Sequence, residues 1–249
     1  MVPGSRPGAV QPVRWHVMDD VAELARAVAM RILRRAQDSI ADHGVFRLVL
    51  AGGRTPQAVY RHISDAATDW SRWEIYFGDE RCLPAADPGR NSVMALHNWL
   101  GRVAIPSGNI HPIRVELGPA AAAREYSALV ARALPFDMVL LGMGEDGHTA
   151  SLFPGHRHDE AELVHAVLDA PKAPAERVSL GLAALNAAQE VLVLITGSDK
   201  SGAVQRWQAG EDLPVTRIHG HNGADVYIDV AANKTPPAKN KQDQARESG

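Results

Sequence analysis

The chain has 249 residues, of which 45% are hydrophobic and 22% are charged, and these proportions exclude a disordered or fibrous protein. The 26 Lys and Arg residues against 29 Asp and Glu residues leave a formal charge of −3, which argues against a nucleic-acid-binding protein. A single cysteine, Cys82, excludes an intrachain disulfide and argues against a cysteine-based metal site.

The two ends of the chain are predicted to lie outside one folded domain, residues 14–232. Residues 1–13 are expected to form a flexible arm, and they lack the continuous apolar core of a signal peptide. Residues 233–249 are rich in Lys, Gln and Pro and predict a disordered tail. The apolar runs are far shorter than the roughly 20 residues that cross a bilayer, so we expect a cytoplasmic protein without a membrane partner.

The first half of this domain begins with a helix pattern and a strand pattern. Apolar residues recur at helical spacing over residues 21–40, after Asp19-Asp20 and before Gly44, which predicts a long helix capped at both ends. Residues 48–51 form a short apolar run that ends in Gly52-Gly53 and predicts a buried strand. Thr55, followed by Pro56, is expected to be the N-cap of a second helix.

A strand followed by glycine recurs three more times. The apolar runs and their glycines are residues 75–77 with Gly78, 138–141 with Gly142-Met143-Gly144, and 191–195 with Gly197; a helix over 203–207 and a last strand over 225–230 follow. Continuous apolar strands with helices between them predict an α/β fold, a mostly parallel Rossmann-like sheet flanked by helices in a single domain. Ligands of such sheets bind beyond the carboxyl ends of the strands, so the four glycine junctions are expected to form the active site.

Two of these junctions have features of an anion-binding site. The glycines of residues 52–56 allow close approach of a ligand, and the helix that follows presents free N–H groups. Lys200 follows Gly197 and adds a positive charge near the start of another helix. For residues 52–56 alone, an ordinary tight turn is an equally good interpretation. For Lys200 alone, a surface lysine is the better one.

Three charged residues, Asp79-Glu80-Arg81, follow the strand that ends at Phe77. Arg81 could bind an anion through two parallel hydrogen bonds, with an acidic neighbour holding its guanidinium in place. A structural ion pair is the alternative, but the position at a strand end favours a functional role.

The segment richest in chemistry is Gly-Met-Gly-Glu-Asp-Gly-His-Thr-Ala-Ser, residues 142–151. Its glycines allow His148 to reach the strand ends, where a neutral imidazole can accept a proton from water. Asp146 could orient the ring or contact the substrate, and Thr149 and Ser151 could cap a following helix.

Other kinds of catalytic site find little support. His156 with His158, and His219 with His221, could each supply two metal ligands, but neither pair has a third at a recognisable spacing. The serine-hydrolase elbow, the phosphate loop of nucleotide hydrolases and Gly-x-Gly-x-x-Gly are absent from the sequence. We therefore predict no metal.

Residues 137–155, Asp-Met-Val-Leu-Leu-Gly-Met-Gly-Glu-Asp-Gly-His-Thr-Ala-Ser-Leu-Phe-Pro-Gly, closely resemble the signature of the 6-phosphogluconolactonase family, in the glucosamine/galactosamine-6-phosphate isomerase-like superfamily. Further segments similar to this family are residues 52–56, 77–84 with 91–92, 171–174 with 177–180, and 197–200. The resemblance extends over roughly residues 48–204, and the 19-residue segment is its specific part.

The resemblance implies hydrolysis of 6-phosphoglucono-1,5-lactone to 6-phosphogluconate, the second step of the oxidative pentose phosphate pathway, without a metal or organic cofactor. It implies that His148 activates the attacking water, and it makes Asp146 and Asp79 candidates for orienting His148 and Arg81. The residues expected to bind the substrate, its phosphate or the developing oxyanion are Gly52, Gly53, Arg54, Thr55, Arg81, Asn91, Arg177 and Lys200. The expected partner is this small molecule, and the expected state is a monomer or a small homo-oligomer.

Two departures and two alternatives accompany this resemblance. Arg54 stands where the family often has serine, and Val93 where an aromatic residue is common. A glucosamine-6-phosphate isomerase/deaminase shares the Gly-x-Asp-Gly-His element, but Thr-Ala-Ser-Leu-Phe-Pro after His148 resembles the lactonase instead of the deaminase's Ile-Ala-Phe-Asn-Glu-Pro. A non-catalytic sugar-phosphate sensor would usually carry a DNA-binding domain, for which the roughly 47 residues before Leu48 leave little room.

Overall fold

Two sheets of different size organise the chain, whose computed structural model describes residues 12–157 and 159–234. The nine strands of these ranges are β1 (Val13–Met18), β2 (Phe46–Leu50), β3 (Trp73–Phe77), β4 (Asp79–Arg81), β5 (Met138–Gly142), β6 (Val164–Val167), β7 (Arg177–Leu180), β8 (Glu190–Ile195) and β9 (Ala224–Asp229). The large sheet has the order β1-β9-β8-β5-β2-β3 with all its strands parallel, and the small sheet has the order β4-β7-β6 with antiparallel pairs.

Helices flank the large sheet. Those in the described part of the chain are α1 (Val21–His43), α2 (Arg54–Ile63), α3 (Asn91–Asn98), α4 (Pro119–Ala133), α5 (Leu182–Asn186) and α6 (Ser201–Gln208). Short 3-10 helices cover Trp70–Arg72, Leu100–Arg102, Ser107–Asn109, Val115–Leu117, Ser198–Lys200 and Pro214–Arg217. The predicted α/β class with a mostly parallel sheet is confirmed. The predictions for residues 1–11, His158 and 235–249 lie outside the described residues.

The ends of α1 follow the sequence closely, whereas the start of α2 does not. The Asp20 side chain accepts a hydrogen bond from the backbone N–H of Glu23 at 2.8 Å, and Gly44 ends α1 with φ 83°. The prediction of Thr55 as N-cap of α2 is wrong. Gly53 is the N-cap with φ 102°, a conformation that favours glycine, and the Thr55 hydroxyl instead lies 2.6 Å from that of Thr196.

Two buried tyrosines fix the carboxyl ends of neighbouring strands. The Tyr60 hydroxyl donates to the carbonyl of Ala51 at 2.7 Å and accepts from its N–H at 3.1 Å, just after β2. The Tyr126 hydroxyl makes the same pair of bonds with Phe77, at 3.1 and 2.8 Å, where β3 ends. Burial raises the pKa of both hydroxyls, so they stay protonated and able to donate.

Gly78 joins the two sheets. Its N–H donates to the carbonyl of Leu50 at the end of β2, and its carbonyl accepts from Leu180 at the end of β7. β4 begins at the next residue and pairs antiparallel with β7, which places Arg81 directly opposite Arg177. The sequence patterns above do not predict this second sheet.

At the amino ends of the strands of the large sheet, Asp137 connects α1 with β2 and β5. It is 3% exposed, and its carboxylate accepts hydrogen bonds from the Ser39 hydroxyl at 2.9 Å and the Arg47 backbone N–H at 2.8 Å. The Nε2 atom of His43 lies 2.9 Å from the same carboxylate. This buried acceptor therefore holds three segments together.

Asp137→Ala is expected to lower the free energy of unfolding by about 2–3 kcal/mol, because several donors lose a charged acceptor. Chemical denaturation monitored by circular dichroism measures the change. Asp38→Ala, at an exposed position of the same helix, is the control and should change this free energy by less than about 0.5 kcal/mol. Unaltered stability of Asp137→Ala would contradict the role assigned to the carboxylate.

Candidate active site

The strand order of the large sheet reverses between β2 and β5. From β2 the chain continues to its neighbour β3, whereas β5 leads to β8 on the other side. In open α/β sheets, such a reversal leaves a crevice at the carboxyl ends of the strands. A cavity of about 370 Å³ lies there, lined by residues 51–53, 78–79 and 140–144, so three of the four predicted glycine junctions contribute to it.

Most of the predicted site residues meet in this cavity. Those that line it are Gly52, Gly53, Asp79, Arg81, Asn91, His148, Arg177 and Lys200. Asp146 stands beside His148. Arg54 and Thr55 line an adjoining cavity instead, together with Gly197, the fourth junction. Gly52, Gly53 and Lys200 border both cavities.

His148 is held by Asp146. Its Nδ1 lies 2.5 Å from the Asp146 Oδ1, which also accepts the backbone N–H of His148 at 3.1 Å. The other ring nitrogen, Nε2, is therefore the one left for a ligand. Burial lowers the pKa of His148 more than the negative charges of Asp146 and Asp79 raise it. Burial raises the pKa of Asp146, but its interactions with His148 outweigh this effect, and the pKa lies below the ordinary value. The pair is thus a neutral imidazole beside a carboxylate at neutral pH.

Glycine makes room for this pair. A Cβ atom built at Gly144 would lie 2.0 Å from the Nδ1 of His148 and 2.5 Å from the Oδ1 of Asp146. Gly147 has φ 86°, and its carbonyl accepts from Val215 at 3.2 Å, which ties the loop to a distant segment. The predicted glycine-rich loop that carries a histidine to the strand ends is present.

Thr149 and Ser151 do not cap a helix, and that prediction is wrong. The hydroxyl of Thr149 donates to the carbonyl of Gly142 at 2.8 Å, and that of Ser151 donates to the Asp79 Oδ2 at 2.7 Å. Between them, Ala150 has φ 48°, a left-handed conformation that costs energy in a residue with a side chain. The segment forms a tight turn whose hydroxyl groups face inward.

Asp79 is buried within a small polar network. Its Oδ1 accepts from the Asn91 Nδ2 at 2.9 Å, and its Oδ2 accepts from Ser151. Arg81 donates from Nη1 to the carbonyl of Gly89 at 2.9 Å. The predicted pairing of Asp79 with Arg81 is thus not seen among the described residues, because the guanidinium extends toward Gly89.

Glu80 does not line the cavity but supports the residues that do, and the sequence patterns did not predict this role. It is fully buried, and its Oε1 accepts the backbone N–H groups of Arg81 at 2.9 Å and Asn91 at 2.7 Å. Its Oε2 accepts the N–H of Ser92 at 2.9 Å, so Glu80 caps α3 from outside the helix. This cap places Asn91 against Gly52, where a Cβ atom would lie 1.9 Å from the Asn91 Oδ1.

Two arginines lie side by side on neighbouring strands of the small sheet. Arg81 and Arg177 are direct partners of β4 and β7, and like charges in such positions repel. The Arg81 Nε is buried and has no hydrogen-bond partner within the described residues. Arg177 donates to the carbonyls of Lys172 at 2.8 Å and Pro174 at 3.1 Å. Burial lowers the pKa of Arg177, and the charge of Arg81 lowers it further against the opposing effect of Asp79. An anion between the two guanidinium groups would relieve this repulsion.

Two lysines add positive charge from other loops. The Nζ atoms of Lys172 and Lys200 each lie 3.7 Å from the Oε1 of Glu145, and Lys200 is also 3.3 Å from Asp199. Lys172, which sequence reasoning did not single out, lines the cavity with Lys200. Its signal was its place in the segment 171–174 that resembles the lactonase family.

Neither a metal centre nor a membrane segment is found in the described ranges. In residues 12–157 and 159–234, no three His, Cys, Asp or Glu side chains are placed to hold a metal ion. Among the helices of the same ranges, none is long and apolar enough to cross a bilayer. In the second histidine pair considered above as metal ligands, the Nδ1 of His219 lies 3.1 Å from the carbonyl oxygen of Gly220.

Known proteins are similar to this chain in sequence and in fold. The sequence profile of the family described as glucosamine-6-phosphate isomerases/6-phosphogluconolactonase matches residues 19–227. A 6-phosphogluconolactonase of Streptomyces coelicolor is 37% identical over 238 residues, which cover 86% of this chain and 91% of the relative. A probable chloroplastic 6-phosphogluconolactonase of Oryza sativa is 30% identical over 237 residues, covering 85% of this chain and 72% of the relative.

Solved structures agree with these relatives. The 6-phosphogluconolactonase of Thermotoga maritima superposes with a TM-score of 0.82 at 27% identity, covering 88% of this chain and all of that one. A monomeric glucosamine-6-phosphate deaminase superposes with a TM-score of 0.78 at 21% identity, over 88% of this chain and 98% of that one, and shows the shared fold alone. The resemblance predicted from the sequence is confirmed. The chain belongs to the family of glucosamine-6-phosphate isomerases and 6-phosphogluconolactonases.

Proposed function

We propose that the chain is a 6-phosphogluconolactonase, which hydrolyses 6-phosphoglucono-1,5-lactone to 6-phosphogluconate. One observation carries this proposal: a neutral imidazole held by a carboxylate shares a cavity with several cationic side chains. Lactone hydrolysis needs a base for the attacking water and a binding site for the phosphate. The lactonases among the relatives and solved structures support the same reaction.

His148 is the base in this mechanism. As a water molecule attacks the carbonyl carbon of the lactone, the Nε2 of His148 accepts one of its protons, and Asp146 stabilises the imidazolium that forms. The imidazolium then returns the proton to the ring oxygen as the bond between the carbonyl carbon and that oxygen breaks. The product is a carboxylic acid with a free hydroxyl group, and the acid ionises at neutral pH.

The cationic residues hold the phosphate. Arg81, Arg177 and Lys200 line the same cavity as His148, and the like charges of Arg81 and Arg177 on paired strands favour an anion near them. Asp79 uses two of its roughly four acceptor positions for Asn91 and Ser151, which leaves others for substrate hydroxyl groups. Arg54 and Thr55 border only the adjoining cavity, and a role for them in binding stays a prediction.

Three further statements stay predictions from the sequence. They are a cytoplasmic location, a monomer or small homo-oligomer, and domain limits at residues 14–232. In the structure, β1 begins one residue before the lower limit, at Val13. No metal or organic cofactor enters the proposed mechanism.

His148→Ala is expected to lower kcat by about 10²- to 10⁴-fold while 6-phosphogluconate still binds, because the variant loses the base and keeps the cations. The assay generates the lactone in situ from glucose 6-phosphate and times the release of acid, with the spontaneous rate subtracted. His62→Ala, at an exposed position of α2, is the matched control and should be fully active. Full activity in His148→Ala would contradict the mechanism, and ammonia release from glucosamine 6-phosphate in a parallel assay would favour a deaminase.

The pH dependence of kcat/KM should report His148. Its pKa lies below the ordinary value of 6.5, so the basic form prevails at neutral pH and activity falls only as the pH drops through this lowered pKa. Asp146→Asn removes a charge that raises this pKa, so the acid limb should move to still lower pH while kcat decreases. Rates measured between about pH 5 and 8 test both statements. An acid limb above 6.5 in the unsubstituted protein would be inconsistent with a buried neutral base.

Lys200→Gln is expected to raise KM about tenfold with a smaller effect on kcat, because a charge-assisted contact to the phosphate is lost. The dependence of KM on salt should also become shallower, since fewer charges remain to be screened. Lys234→Gln serves as the control, because Lys234 is exposed and is the last residue that the structure describes. If both variants gave the same KM at low salt, Lys200 would have no part in phosphate binding.

A further inference from the structure

One buried ring, that of Phe153, touches two parts of the active site. Its centroid lies 4.7 Å from that of the His148 imidazole, with the planes tilted by 44°. The Cζ of Arg177 lies over the same ring, 5.5 Å from its centroid. Phe153 is 2% exposed, and it lines the cavity. The base and a phosphate-binding cation, which come from different elements, are thus in contact with a single rigid side chain.

The ring is anchored apart from the main core. Phe153, Val167 and Ala170 form a small hydrophobic cluster of their own, and Val167 is the last residue of β6. The turn before Phe153 is closed by hydrogen bonds between Thr149 and Leu152, at 2.9 and 3.4 Å. A change at Phe153 should therefore disturb the small sheet and the site more than the large sheet.

The chemistry of the ring suits both neighbours. A guanidinium over an aromatic face is attracted by the negative face of the ring, and an apolar ring beside an imidazole shields the part that it covers from water. The charged groups that act on His148 are Asp146, Asp79 and Lys172, and Phe153 adds none. Its effect on the imidazole therefore comes from position and burial.

We propose that Phe153 is a positioning residue, whose ring fixes the His148 imidazole relative to the Arg177 guanidinium. The distance between these groups has to match the distance between the lactone carbonyl and the phosphate of one substrate molecule. A displacement of about 1 Å in such a geometry can cost about a hundredfold in rate. This inference rests on the proposed lactonase function.

Three variants test the proposal. Phe153→Leu removes the ring, Phe153→Tyr keeps it, and Val164→Ala shortens a buried side chain of β6 that pairs with Leu180 and not with Arg177. Phe153→Met replaces Phe153→Leu if the latter does not fold, as judged by thermal melting. The measurements are kcat, KM, and the titration of the His148 ring by NMR, which does not depend on catalysis.

Phe153→Leu should lower kcat and raise KM, each about tenfold, because both neighbours lose their common contact. The pKa of His148 should rise toward its ordinary value, since burial is what lowers it. Phe153→Tyr and Val164→Ala should leave kcat, KM and this titration close to those of the unsubstituted protein.

Two results would overturn the proposal. One is a Phe153→Leu variant with unchanged kcat, KM and His148 titration. The other is a Val164→Ala variant with the same losses, which would show a structural role only. If the unsubstituted protein releases no acid from the lactone, the proposed function fails instead. The NMR titration still decides in that case, because a His148 pKa that rises in Phe153→Leu alone supports the positioning role and an unchanged one rejects it.

Discussion

The parallel sheet imposes the constraint on which the whole site depends: the carboxyl ends of all its strands lie on the same side of the molecule. Because of this, residues far apart in the chain meet at the carboxyl ends of β2, β3 and β5. The reversal of strand order opens the crevice, and Tyr60 and Tyr126 fix the strand ends that form its floor. Gly78 then carries the backbone from the large sheet into the small one, whose arginines form a wall of the cavity.

Two arginines bring like charges together beside this cavity. Arg81 and Arg177 repel each other, and the carboxylates nearest to them are engaged elsewhere: Asp79 with Asn91 and Ser151, and Glu80 with the start of α3. Such an arrangement of like charges is unfavourable by itself and favours an anion nearby. The deep burial of Glu80 shows that the same segment, Asp79-Glu80-Arg81, serves both the fold and the site.

Sequence patterns predicted the parts of the molecule that depend on local signals. The caps of α1, the buried strands of the large sheet and the glycine-rich loop of His148 each have a signal within a few residues. The small sheet has none, because β4 consists of three charged residues that pair with a strand almost a hundred positions later. The cap that Glu80 provides to α3 was missed for the same reason, since its partners lie eleven and twelve positions away.

The two carboxylates around His148 have a consequence for the end of the reaction cycle. Asp146 and Asp79 both act electrostatically on the imidazole, beside which the proposed reaction places the carbonyl group of the lactone. The lactone is uncharged at that group, but opening it creates a carboxylate. In the proposed reaction, ring opening therefore adds a negative charge near these two carboxylates, and this favours release of the product and opposes the reverse condensation.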